Sequence, residues 1–168
     1  GVDGKKLAGE AINVLADPKY VTQGPHGTCG AGALENVLRK DDPAELVKIV
    51  KDIAKTGEST LRDGSKLKAA PGSLNFHAGD KTTDGSSEVR SDFNIIFQSA
   101  VLQNVALVGG DRDPLLGGIA DYNVKGDNGD GTSVAHGDSA SDPIMLTSLA
   151  GSITGKSFDL DSFMGTYS

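Results

Sequence analysis

The sequence predicts an α+β fold that is mainly helical, with one short hairpin and long Gly/Asp-rich loops. Three observations carry this prediction. Apolar residues recur at helical spacing in five separate segments of the chain. Strand-type patterning is confined to the residues flanking Asp63-Gly64. Gly, Asp and Ser dominate residues 71–88 and 109–141, and a stretch as long as the second is uncommon in a compact domain unless it is functional or mobile. The 168 residues fit a single domain, 1–168, long enough to bury a core without disulfides.

In chain order, residues 5–16 read as an amphipathic helix with Leu7, Ala11, Ile12 and Leu15 on its apolar stripe, ended by Asp17-Pro18. Tyr20-Val21-Thr22 is an extended lead-in to a Gly- and Pro-rich turn. Residues 29–40 form the second helix, burying Ala33, Leu34, Val37 and Leu38, with Arg39 and Lys40 favourably placed in its last turn. The third has Asp42 as N-cap, Pro43 at its first position and Gly57 as its stop, and buries Leu46, Ile49, Val50 and Ile53.

Asp63-Gly64 suits a type I′ hairpin between Ser59–Arg62 and Ser65–Lys68. A long core helix is expected from about Ser87 to Leu107, with Gly109-Gly110 ending it. Residues 109–141 are expected to be a mobile loop. Pro143 opens a short helix burying Ile144, Met145, Leu146 and Leu149 and stopped by Gly151, and residues 157–164 allow one more helical turn.

Composition narrows the function classes. A net charge of -7 argues against nucleic-acid and anionic-membrane partners, which favour a basic surface. No Trp is present and aromatics are 5%, too few for base-stacking platforms. No apolar run has the length of a membrane span, and the first residues lack the apolar stretch of a signal peptide. The opening Gly1 and the ending Tyr167-Ser168 are compatible with a piece excised from a longer protein.

The one cysteine rules out an internal disulfide. Cys29 stands where the turn Gln23-Gly24-Pro25-His26-Gly27-Thr28 runs into the second helix. A thiol there feels the positive end of the helix dipole and free backbone N–H groups, which favour the thiolate, the attacking species. Gly30 and Gly32 lower helix propensity but let a substrate approach the backbone closely. The Cys29 N–H can donate to a developing oxyanion, and Gln23 can supply the second donor. The competing account is that a lone Cys is a small buried apolar residue.

The run Gln-Gly-Pro-His-Gly-Thr-Cys-Gly at 23–30 resembles the papain-like motif, in which an oxyanion-hole Gln precedes the catalytic Cys that opens the central helix of the left-hand subdomain. His26 stands where the motif has its first Cys, and Gly30 where it has Trp, so the chain is more similar to divergent bacterial toxin- or effector-type members. The resemblance covers residues 20–40. It implies a cysteine protease with Cys29 and Gln23 as catalytic residues, a protein substrate, no cofactor, and secretion or translocation. It also implies a His base, with Asn or Asp behind it, well beyond the Cys in a β-rich half.

Three histidines are present. His26 lies in the turn itself and His77 in a loop. His136 is the best of the three by chain order, though Gly, Asp and Ser surround it. The scarcity of strands points instead to a base outside this chain, in a second chain or a C-terminal segment that completes the domain.

Two further patterns are weak. Ala150–Ser157 fits a relaxed phosphate-loop spacing without the flanking strand and long helix that the loop needs. Asp127–Thr132 lacks the first and last ligands of a calcium loop. Two function classes remain: a thiol hydrolase or acyl transferase, including side-chain deamidase or transglutaminase chemistry, and a non-catalytic helical domain that binds a partner.

Overall fold

The computed structural model describes residues 1–22, 29–69, 72–81, 87–110 and 143–158. These form a mainly helical α+β fold. Helices α1 (Gly4–Ala16), α2 (Cys29–Asp41), α3 (Pro43–Thr56), α4 (Asp92–Gly110) and α5 (Pro143–Thr154) surround one core, and strands β1 (Glu58–Thr60) and β2 (Lys66–Lys68) make a small antiparallel sheet. Among the described residues no helix is long and apolar enough to cross a membrane.

Local chemistry sets the helix ends. Asp3 caps α1, its carboxylate accepting from the N–H groups of Lys5 (2.9 Å) and Lys6 (3.2 Å). Asp17 ends α1 and leads into a 3₁₀ turn, Pro18–Tyr20, where an extended lead-in was expected from Tyr20 onward. Asp42 occupies the N-cap position of α3, but its side chain makes no capping bond. Its carboxylate instead pairs with Arg62 at 2.7 Å. Gly57 closes α3 with φ 81, a conformation L side chains rarely adopt.

The hairpin falls where the sequence placed it, with Glu58, Ser59 and Thr60 opposite Lys68, Leu67 and Lys66. Its turn is not the expected type I′. Gly64 N–H donates to Leu61 O (3.0 Å) and Leu61 N–H to Ser65 O (2.8 Å), making a three-residue connection in which Gly64 has φ 86. That is a type I turn followed by a left-handed glycine, the other common hairpin solution. Asp63 favours it by accepting from Ser65 N–H (2.9 Å) and Ser65 Oγ (2.6 Å).

Over Asp92–Leu102, α4 is enclosed on every side. From Asp92 to Leu102 every residue is buried, and α1, α2, α3, α5 and β2 all pack on it. No charged residue follows Asp92 in it, so no face seeks water. The Cys-bearing α2 was expected to be the central helix. Instead it carries Arg39 and Lys40 and keeps Ala33, Asn36 and Val37 only half-buried.

α4 also starts later than the spacing predicts. Ser91 Oγ accepts from Asn94 N–H (3.2 Å) and Glu10 accepts from Phe93 N–H (3.0 Å), so the orphan donors of the first turn are met from Ser91 and α1. Residues 87–90 lie outside the helix: Ser87 bridges Lys81, Val89 is 59% exposed and Arg90 is buried. At the other end Gly109 and Gly110 are still helical, where the loop was expected to begin. Residues 111–142 lie outside the described residues.

α5 runs through Gly151 and stops at Gly155, whose φ is 70. The phosphate-loop spacing at 150–157 is therefore mostly helix, which rules out that loop conformation. The expected last helical turn at 157–164 falls largely outside the described residues. One apolar cluster joins Leu7, Ala11 and Val14 of α1, Leu34 and Leu38 of α2, the α3 stripe, Leu61 and Leu67 of the hairpin, and Leu146, Ala150 and Ile153 of α5 around Phe93, Ile96 and Phe97. Val14 takes the core place expected for Ile12, which is 68% exposed.

Candidate active site

Cys29 is the first residue of α2, as its place after the Gly-rich turn predicts. The helix begins there because apolar Ala31, Leu34 and Leu38 fall on one stripe and bury against α4 and α5. Gly30 and Gly32 are both buried, so the backbone beside Cys29 is packed closely. Gln23, His26 and His136 lie outside the described residues, as does the calcium-like stretch 127–132.

Six residues beyond Cys29, Glu35 lies in the same buried stripe. Glu35 Oε1 accepts from Asn94 Nδ2 at 2.7 Å and Oε2 from Gln98 Nε2 at 2.8 Å. Gln98 Nε2 also donates to the carbonyl of Thr22 at 3.1 Å. The residue before Gln23 and the helix that starts at Cys29 are thus tied to one buried carboxylate. Burial pushes the Glu35 carboxyl up to about 7, against the pull of Gln98, Asn94 and the nearby Arg90. Arg90 is itself buried and doubly bonded to Glu88, Nε to Oε1 at 3.1 Å and Nη2 to Oε2 at 2.8 Å.

A second polar group surrounds Asp92 at the start of α4. His77 Nδ1 lies 3.0 Å from Asp92 Oδ2, Lys6 Nζ lies 3.0 Å from Oδ1, and Ala78 N–H donates to Oδ1 at 3.4 Å. His77 N–H donates to Asp80 at 2.7 Å, fixing the loop that carries the ring. The imidazole is partly exposed and Asp92 is buried. A buried carboxylate on Nδ1 fixes the ring orientation and leaves Nε2 as the nitrogen able to exchange a proton.

By chain order His136 ranks above His77, and Asp92, Glu35, Asn94 and Gln98 belong to no sequence motif. A signal for the last three was present. Glu35 interrupts an apolar stripe between Leu34 and Leu38, and Asn94 and Gln98 stand four apart in the most apolar stretch of the chain. His77 and Asp92 are fifteen residues apart with no periodic relation, and only the fold pairs them.

Comparison of the chain with family models, with characterised proteins and with solved structures finds no match.

Proposed function

We propose that the protein is a thiol-dependent hydrolase or acyl transferase acting on protein amide bonds. Cys29 is the nucleophile, and its N–H and the Gln23 side chain stabilise the oxyanion. The observation that supports this reading is the position of Cys29 as the first residue of a thirteen-residue helix, where free N–H groups and the helix dipole favour a thiolate. The substrate class and the Gln23 role come from the resemblance of residues 23–30 to the papain-like motif. With α4 rather than α2 at the centre of the fold, that resemblance is one of motif.

A base is needed. His77, held by Asp92, is the described imidazole with an orienting carboxylate; His26, His136 and a second chain or C-terminal segment completing the domain are the other sources. Alkylation by iodoacetamide tests the nucleophile without a substrate. Cys29 is expected to react at pH 6 about tenfold faster than free cysteine, because at that pH an ordinary thiol is almost wholly protonated. A thiol that reacts only in denaturant overturns the reading. If His77 is the base, His77→Ala shifts the pH profile of alkylation and His136→Ala leaves it unchanged. The reverse pattern assigns His136, and the base lies outside the chain only if His26→Ala too leaves the profile unchanged.

A further inference from the structure

We propose that the groove between α1 and α3 is a docking site for a short acidic amphipathic helix of a partner protein. The groove encloses about 370 Å³. Its floor is Leu7, Ala11, Val50 and Phe93, all buried, and exposed Lys51 and Lys55 stand on its edge. Among the described residues no carboxylate lines it. In a chain of net charge -7 this is a locally basic, apolar surface.

The acidic residues of the two helices are engaged elsewhere. Asp3 accepts from the backbone of Lys5 and Lys6, Glu10 from Phe93 N–H, and Asp52 and Glu45 meet Lys48. Lys48 also bonds Ser59 and Thr60, away from the groove lining. Among the described residues Lys51 and Lys55 therefore have no anionic partner, and a partner that brings Glu or Asp supplies it.

The apolar surface continues along α1. Ala8 lines the groove and Ile12, one turn on, is 68% exposed, the most exposed large apolar residue described. Ile12 lies beyond the groove lining, and its exposure is unexplained by the core, where Val14 has taken the inward position.

Shape and charge select the occupant. The lining spans residues 4–11 of α1 and 47–55 of α3, about 12 Å along each axis, which accommodates about two helical turns. Two helices flanking a trough leave no unpaired strand edge to extend, so the fitting mode is a helix laid in a groove with apolar anchors three and four apart. A two-fold pairing of the groove with a second copy would set Lys51 and Lys55 against their equivalents. An anionic membrane would meet the net negative charge of the whole chain.

The test uses the full chain and a fluorescent, hydrocarbon-stapled fifteen-residue helix with leucines at i, i+3, i+4 and i+7 and glutamates on its flanks. Anisotropy is expected to show saturable binding. Lys51→Glu/Lys55→Glu and, separately, Ala8→Glu should each weaken it at least about tenfold. All three positions are exposed, and unchanged thermal unfolding verifies that the variants fold. Equal binding of a scrambled peptide or of one with lysine flanks overturns the proposal. So does binding that the variants leave intact, or a variant-sensitive response seen only with anionic phosphatidylglycerol vesicles or only as self-association in sedimentation.

Discussion

Glu35 shows how far one residue departs from its sequence neighbourhood. Its carboxyl is buried, and two side-chain amides and Arg90 only partly replace the water it has lost. Burial raises its folded-state pKa from an ordinary 4.5 to about 7. The sign of the linkage follows. Between those values the folded protein holds a proton that the unfolded chain has released, so stability falls as pH rises through that window. The full effect is of order 3 kcal/mol.

Glu35→Gln is expected to flatten the pH dependence. A neutral Glu35 or a Gln needs an acceptor, and Asn94 Oδ1, buried without a hydrogen-bond partner, becomes that acceptor when its amide turns over. Glu35→Leu removes the acceptor of Asn94 Nδ2 and one of the acceptors of Gln98 Nε2, and should cost about 2–4 kcal/mol. Urea midpoints at pH 5 and pH 8 check both: a Glu35→Gln variant as pH-sensitive as the wild type contradicts the assignment.

At the scale of elements, Arg62 joins three of them. It sits in the hairpin turn, pairs with Asp42 at the start of α3 (2.7 Å), lies 3.8 Å from Glu45, and donates to the carbonyl of Thr154 at the end of α5 (2.7 Å). The last contact meets one of the orphan carbonyls of α5, and the pairing with Asp42 engages the carboxylate that makes no capping bond to α3. Arg62 is partly exposed, so its worth lies in geometry more than in raw charge. Arg62→Ala should destabilise by about 1–2 kcal/mol, and Arg62→Lys should recover only part because a point charge cannot hold both partners. Thermal unfolding of the pair reads this; a Lys variant equal to wild type would mean that charge alone suffices.

The elements were more legible than their ends. The α3 stripe was readable because Pro43 and Gly57 bracket a clean period of apolar residues. Ile12 and Val14 were separable by period alone: at 3.6 residues per turn Val14 lies about 20° from Leu7 and Ile12 about 140°, and Leu7, Ala11 and Val14 are the residues that α1 buries. The start of α4 was displaced because Glu10, far off in sequence, supplies a carboxylate to its first turn.

At the scale of the molecule, a single apolar cluster runs from α1 through the hairpin to α5, with α4 inside it. A core without a gap between sub-clusters unfolds as one unit. Phe97→Ala, at the centre of α4 and fully buried, should cost about 3–5 kcal/mol. Far-UV circular dichroism and tyrosine fluorescence should show one shared transition in the wild type. Separate transitions would show that α5 or the hairpin forms its own unit.

By itself the sequence determined that the protein is mainly helical, where the hairpin lies, and that Cys29 opens a helix. Those follow from short-range physics: side-chain period, capping and turn preferences act within a few residues. The tertiary structure decided that α4 is the enclosed helix, that Glu35 is buried with Asn94 and Gln98, and that Asp92 holds His77. Each of these depends on groups distant in sequence meeting where water is excluded, and there the cost of an unsatisfied charge selects the partners. The candidate site divides along the same line. Its nucleophile was readable from a local pattern, and its supporting polar residues only from the packing of α2 against α4.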